Sequence, residues 1–182
     1  MIKQLGSRIV YQNKWMKVRE DEVEFQNKTK GIYGVVDKPD FALVVPFTDD
    51  GFYLVRLYRY AVQNSFWEFP EGSYEENPNI DPKELALNEL QEETGLIAKR
   101  IEKIGYQYVA YGMSSQGFHI FLAQDFTQTK QNLEAAEDGM EVRQFSVSEF
   151  KNMVQDGEIR DTPTIAAYGL LAMQGVLNRY LR

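Results

Sequence analysis

Glu89, Glu92 and Glu93 stand at positions i, i+3 and i+4. On a helix, at about 100° per residue, they fall within an arc of roughly 100° on one face. Carboxylates this close repel one another and raise each other's pKa unless cations intervene. Magnesium accepts this ligand type, taking one or two carboxylates together with waters and substrate phosphate oxygens. Binding a divalent metal is one chemistry this pattern allows. Taken alone, neighbouring glutamates also read as a solvated face, because Glu is a good helix former. The rest of the chain has to decide.

Composition removes most competitors. There is no cysteine, so disulfides, thiolate metal sites and a Cys nucleophile are excluded. The single histidine, His119, rules out a multi-histidine zinc site. It lies inside the apolar run Phe118–Ala123, where a partly buried strand histidine is the ordinary expectation rather than a base. A formal charge of −7 argues against a binder of nucleic-acid backbone. No stretch approaches the ~20 apolar residues that span a bilayer, and Met1–Val10 lacks a signal-peptide core. The expected location is the cytoplasm. With 182 residues, 43% of them hydrophobic and 26% charged, one good-sized globular core is expected.

The elements that would position the glutamates follow from local pattern. Asp81 can cap a helix, Pro82 fits its first turn, and Gly95 can end it in a left-handed conformation, which predicts a helix over Pro82–Thr94. Ala86, Leu87 and Leu90 form its apolar sector. Strands are expected near Phe41–Pro46, Phe52–Tyr58, Lys103–Ala110, Gly117–Gln124 and Met140–Ser146, with Asp49-Asp50-Gly51 as a turn. Ser146 with Glu149 suggests a capping box for a short helix ending at Gly157. A terminal helix is predicted from Asp161 or Thr162 to about Leu181. Before all this, Ile9–Tyr11, Trp15–Phe25 and Gly31–Val36 read as short strands, the last two joined at Asn27–Gly31. That segment has too few large apolar residues to fold alone. Strands interleaved with helices give an α/β or α+β layered domain.

Gly72–Leu96 resembles the Nudix box, Gly-x5-Glu-x7-Arg-Glu-U-x-Glu-Glu-x-Gly-U with U aliphatic. Asn88-Glu89-Leu90-Gln91-Glu92-Glu93-Thr94-Gly95-Leu96 fits its second half at every position but the first. Asn88 replaces the consensus Arg, Gly72 lies two residues too far away, and Glu75 or Glu76 stands nearest to the mid-loop Glu. The segments Leu54–Tyr60, Trp67–Gly72, Tyr111–Ser114 and Val147–Thr164 resemble the ADP-ribose pyrophosphatase and GDP-mannose hydrolase group. The likeness covers nearly the whole chain. It implies a Nudix-type α/β/α sandwich around a mixed sheet over 38–182, and an antiparallel strand annex over 1–37 that builds a homodimer.

The resemblance also implies roles. Glu89, Glu92 and Glu93, with the backbone carbonyl of Glu71, would hold Mg²⁺, for which Mn²⁺ could substitute. Arg59 is the expected diphosphate contact, since a guanidinium binds phosphate oxygens bidentately. An exposed strand arginine is the plain alternative. Tyr60 and Gly72 complete the expected substrate contacts, and Trp15, Phe25 and Tyr33 are further candidates for stacking a base. A general base is expected from the loop Leu133–Glu141, Glu137 first and Asp138 second. Where relatives often carry a Glu, this chain has Gln116. The implied reaction is hydrolysis of the diphosphate bond of a nucleoside diphosphate derivative, ADP-ribose to AMP and ribose 5-phosphate. The alternatives are GDP-mannose, another nucleotide sugar or a dinucleotide, and a catalytically silent Nudix-fold binding module.

Overall fold

A computed structural model of the chain describes residues 1–73, 77, 79–133 and 137–178. The expected mid-loop residues Glu75 and Glu76, and the first part of the late loop, lie outside them. The chain runs through β1 (Lys3–Gln12), β2 (Lys17–Glu24), β3 (Lys30–Asp37), β4 (Phe41–Thr48) and β5 (Gly51–Arg59). After a 3₁₀ turn at Tyr60–Val62 come β6 (Asn64–Glu68), β7 (Glu71–Gly72), α1 (Pro82–Thr94) and β8 (Leu96–Tyr108). The remainder is β9 (Gly117–Gln128), β10 (Glu141–Phe145), α2 (Val147–Asp156) and α3 (Thr162–Met173). Among the described residues no helix is long and apolar enough to cross a membrane.

Strands β1, β2 and β3 form a separate antiparallel sheet. It docks on the loop before β9: Val36 N–H donates to Met113 O (2.8 Å), Ser115 N–H to Val36 O (3.1 Å), and the Tyr33 hydroxyl to Gly112 O (2.7 Å). Within this sheet Arg19 pairs with Asp21 and, at 2.8 Å, with Asp37.

The main sheet has the order β10-β5-β4-β9-β8. It is mixed, because β4 and β9 run parallel while the other pairs are antiparallel. Residues 41–47 read as a nearly unbroken apolar run because both faces of β4 are covered. Phe41, Leu43, Val45 and Phe47 alternate toward a core shared with Phe150, Met153, Ala167 and Leu171 of α2 and α3. Ala42 and Val44 face Leu85, Ala86 and Leu90 of α1. Helices thus cover both sides of the sheet. Leu90 is fully buried, and its truncation to Ala would cost about 2–5 kcal/mol.

The α1 bounds are those the caps predict, with the Asp81 side chain accepting from Lys83 and Glu84 N–H and Gly95 in the left-handed region. The capping box of Ser146 and Glu149 is also formed. Three expectations need correction. Leu85 is buried under α1, where Leu87 was expected, and Leu87 is only half-buried. The last helix stops at Met173, with Gly175 turning at φ 79°. Strand β8 starts at Leu96, directly after the helix, because its whole length pairs with the long β9.

Strands β6 and β7 were not expected from the sequence. They exist because β4 and β5 pair only beside their turn, at Phe47 with Phe52 and Thr48 with Gly51. Beyond that point β6 pairs with β5 and β7 with β4. Their partners are set by tertiary contact, and neither has a pattern of its own.

Candidate active site

The segment between β6 and α1 is held against the sheet by backbone bonds. Pro70 O accepts from Val44 N–H (2.9 Å), and β7 lies on Ala42 and Leu43. The last turn of α1 passes over it. Glu71 N–H donates to the Glu93 carboxylate at 3.1 Å. Gly72 faces Glu89 so closely that an added Cβ would sit 2.3 Å from its carboxyl carbon. Glycine at 72 is therefore what lets the Glu89 carboxylate approach the backbone.

Arg59, at the end of β5, reaches the same segment. Its Nε donates to Glu68 at 3.3 Å, its Nη2 also pairs with Glu68, and Nη2 lies 3.6 Å from Glu71. It is neither an exposed strand arginine nor a lone cation waiting for phosphate. Burial pushes the Glu68 carboxyl up, and Arg59 only partly offsets this. Glu71 is raised well above the usual carboxylate range, first by burial and then by the charges of Asp161 and Glu68. One of its oxygens, Oε2, is buried without a hydrogen-bond partner. Glu93, 2% exposed, is likewise raised well above the usual range by burial and by Glu89 and Glu137. Two carboxylates therefore sit in low-dielectric surroundings with too little positive charge.

The late loop is stitched to the end of α1. Asn132 N–H donates to Glu92 O (3.0 Å), the Gln131 amide to Glu93 O (2.7 Å), and Thr129 N–H to Gly95 O (2.7 Å). These bonds satisfy carbonyls that a helix end leaves without intrahelical partners. They carry the chain toward Glu137, which is half-buried and whose charge is felt at Glu93. Asp138 is exposed.

A cavity of about 440 Å³ opens above this floor, lined in part by Lys38, Arg59, Glu71, Gly72, Gln116 and Asp161. Asp161 caps α3 by accepting Thr164 N–H at 2.7 Å. Gln116 donates to Pro39 O at 2.8 Å.

The structure brings together Arg59, Glu71, Gly72, Glu89, Glu93 and Glu137 of the expected residues. Glu92 is half-buried on the same helix. Tyr60 is 83% exposed and does not line the cavity. His119 is a half-buried strand residue packed on Tyr106. Glu68, Asp161, Lys38 and Arg160 were missed. Asp161 carried a signal, a capping residue two before Pro163, but it read as helix punctuation alone. Among the described residues, no three Asp, Glu or His side chains already converge as a metal cage.

Residues 38–168 match the family model of the NUDIX domain. The chain belongs to the Nudix family. It is a Nudix pyrophosphohydrolase, of a family that acts on small nucleoside diphosphate compounds and generally uses divalent metal ions. Residues 2–36 match the model of the nucleoside diphosphate sugar hydrolase N-terminal domain. The chain is 27% identical to an ADP-ribose pyrophosphatase of Bacillus subtilis (strain 168), over 96% of this chain and 95% of the relative. It is 24% identical to a methanol dehydrogenase activator of Bacillus methanolicus over the same shares. The fold matches a crystal structure of an ADP compounds hydrolase with TM-score 0.84, at 20% identity, covering 96% of this chain and 94% of that one.

The residues of this Nudix site fit a hard dication by the chemistry of their donors. Glu71 offers a buried oxygen with no partner, and Glu93 is a buried carboxylate short of positive charge.

Proposed function

We propose that this chain is a Mg²⁺-dependent hydrolase that cleaves the diphosphate bond of an ADP-ribose-like nucleoside diphosphate derivative, giving AMP and ribose 5-phosphate. The observation that carries this reading is Glu71, which lines the cavity beside Arg59 with a buried, unpartnered Oε2 and is tied through its N–H to the buried Glu93 carboxylate. The Bacillus subtilis relative, matched over nearly its whole length, supports the choice of substrate.

Glu71, Glu89, Glu92 and Glu93 would hold Mg²⁺, with Mn²⁺ as a substitute. When bound, the ion neutralises phosphate oxygens and lowers the pKa of a water. Arg59 turns its guanidinium from Glu68 and Glu71 toward the diphosphate, which offers it bidentate partners. Glu137 takes the proton of the attacking water, and Asp138 is the second choice for that role. Gly72 keeps the floor open for the substrate as well as for Glu89. The annex, residues 1–37, serves as a dimer surface; Leu5, Ile9, Val10 and Trp15 are exposed apolar residues on it. The working compartment is the cytoplasm.

The test is product release with Mg²⁺ across ADP-ribose, GDP-mannose, NADH and diadenosine polyphosphates. Glu92→Gln and Glu93→Gln run beside the wild type. Turnover of ADP-ribose, lost in both variants, is expected. Preference for GDP-mannose or a dinucleotide would move the substrate. No turnover, with no Mg²⁺-induced rise in melting temperature, would replace the enzyme with a silent binding module.

A further inference from the structure

We infer that Arg160 is a further substrate-binding residue, and that the lobe it walls receives the phosphorylated-sugar half of the substrate, the half without a base. This rests on the hydrolase reading above. A second cavity, of about 460 Å³, adjoins the first and shares Arg59, Arg160 and Asp161 with it. The groove therefore has two lobes that meet at two arginines.

Those arginines are in opposite states. Arg59 is already paired with Glu68 and Glu71. Arg160 makes no ion pair among the described residues. Its orientation is nevertheless set. Its Nε donates to Gly157 O at 2.9 Å, and its guanidinium lies 5.4 Å from the centre of the Phe66 ring. Gly157, at φ 78°, clears the space: a Cβ there would meet the guanidinium nitrogens at 2.9 and 3.1 Å. The loop that carries Arg160 is tied to β6 by Trp67 N–H donating to Glu158 O at 3.1 Å. A guanidinium fixed by its Nε keeps its outer N–H groups for an anion, and less freedom is lost when phosphate binds.

Charge and lining select the ligand. Glu68, Glu71 and Asp161 outnumber Arg59 and Lys38 in this groove, so an anionic substrate needs another cation where the lobes meet. Asn64 and Asp161 in the second lobe suit sugar hydroxyls. The base has a better place elsewhere. Lys38, which lines the first lobe, also lines a cavity against the half-exposed Trp15.

The experiment compares wild type with Arg160→Ala, an exposed position whose loss should leave the melting temperature nearly unchanged. Binding of ribose 5-phosphate and of AMP is measured by calorimetry in EDTA, and turnover of ADP-ribose is measured with Mg²⁺. Ribose 5-phosphate should bind about tenfold or more weakly to the variant, with AMP affected less than about twofold. KM for ADP-ribose should rise by about tenfold and kcat change by less than about threefold. Unchanged binding of ribose 5-phosphate, or equal weakening of both products, would overturn the inference. Arg160-dependent binding of ribose 5-phosphate by a wild type that turns over no nucleoside diphosphate would instead overturn the hydrolase reading alone.

Discussion

Glu93 and Asp21 are buried to a similar degree, 2% and 6% exposed, yet their surroundings push them in opposite directions. In the annex, hydrogen bonds from Ser7 and Arg19 hold the Asp21 carboxyl below its usual range. Under α1, burial and the charges of Glu89 and Glu137 hold the Glu93 carboxyl well above it. The first region uses an acid to tie strands together. The second sets acids against one another in a buried place. Buried acids held against like charge are destabilising, and carboxyls perturbed in that way gather at functional sites.

The largest test of that contrast is Glu93→Gln. Turnover should fall by more than about 100-fold if Glu93 holds the metal as proposed, since a ligand matters at least as much as an outer-shell partner. In EDTA at neutral pH the same variant should melt higher than wild type, because a buried negative charge is gone. A variant that loses activity and also melts lower would break the comparison.

Gly72→Ala comes next. Its methyl group would displace the Glu89 carboxylate, and a shift of this kind should lower kcat by about 100-fold. The melting temperature in EDTA should change little by comparison.

The pH dependence of stability sharpens the contrast, because the two signs differ. Asp21 has a lowered folded pKa, so its contribution is present above the unfolded value of about 4. It is lost as pH falls through the lower folded value. Glu93 has a raised folded pKa, so its penalty is absent in acid and grows as pH rises above about 4.3. Melts in EDTA should show the difference between wild type and Asp21→Asn shrinking in acid. The difference between wild type and Glu93→Gln should widen toward neutral pH. Parallel profiles for the two variants would remove the distinction.

The smallest effect concerns a buried polar atom with no assigned work. The Tyr168 hydroxyl is buried without a partner, its ring stacked on Phe150 at 4.7 Å. Tyr168→Phe should raise stability by about 1 kcal/mol or less and leave turnover alone. A loss of activity would place Tyr168 with Glu71 rather than with the core.

What the sequence made legible was whatever local rules govern. Asp81, Pro82 and Gly95 bound α1 to the residue, and the i, i+3, i+4 spacing located its carboxylates. Ser146 and Glu149 did the same for α2. What stayed hidden was set by tertiary approach. Glu68 and Arg59 are nine residues apart, and only the pairing of β5 with β6 makes them partners. Asp161 meets Glu71 because α3 starts beside the cavity. Gln128 and Gln131 look like ordinary polar residues after a strand, until their amides are seen closing the end of a helix 34 and 38 residues earlier in the chain.

That closure sets a boundary for anyone reshaping the enzyme. Residues 128–132 belong mechanically to the helix that carries the carboxylates, although they lie in a different stretch of chain. A graft of the late loop from a relative should therefore begin after Asn132. A graft that began at Gln128 would exchange the late loop and unfasten the end of the carboxylate-bearing helix in one cut.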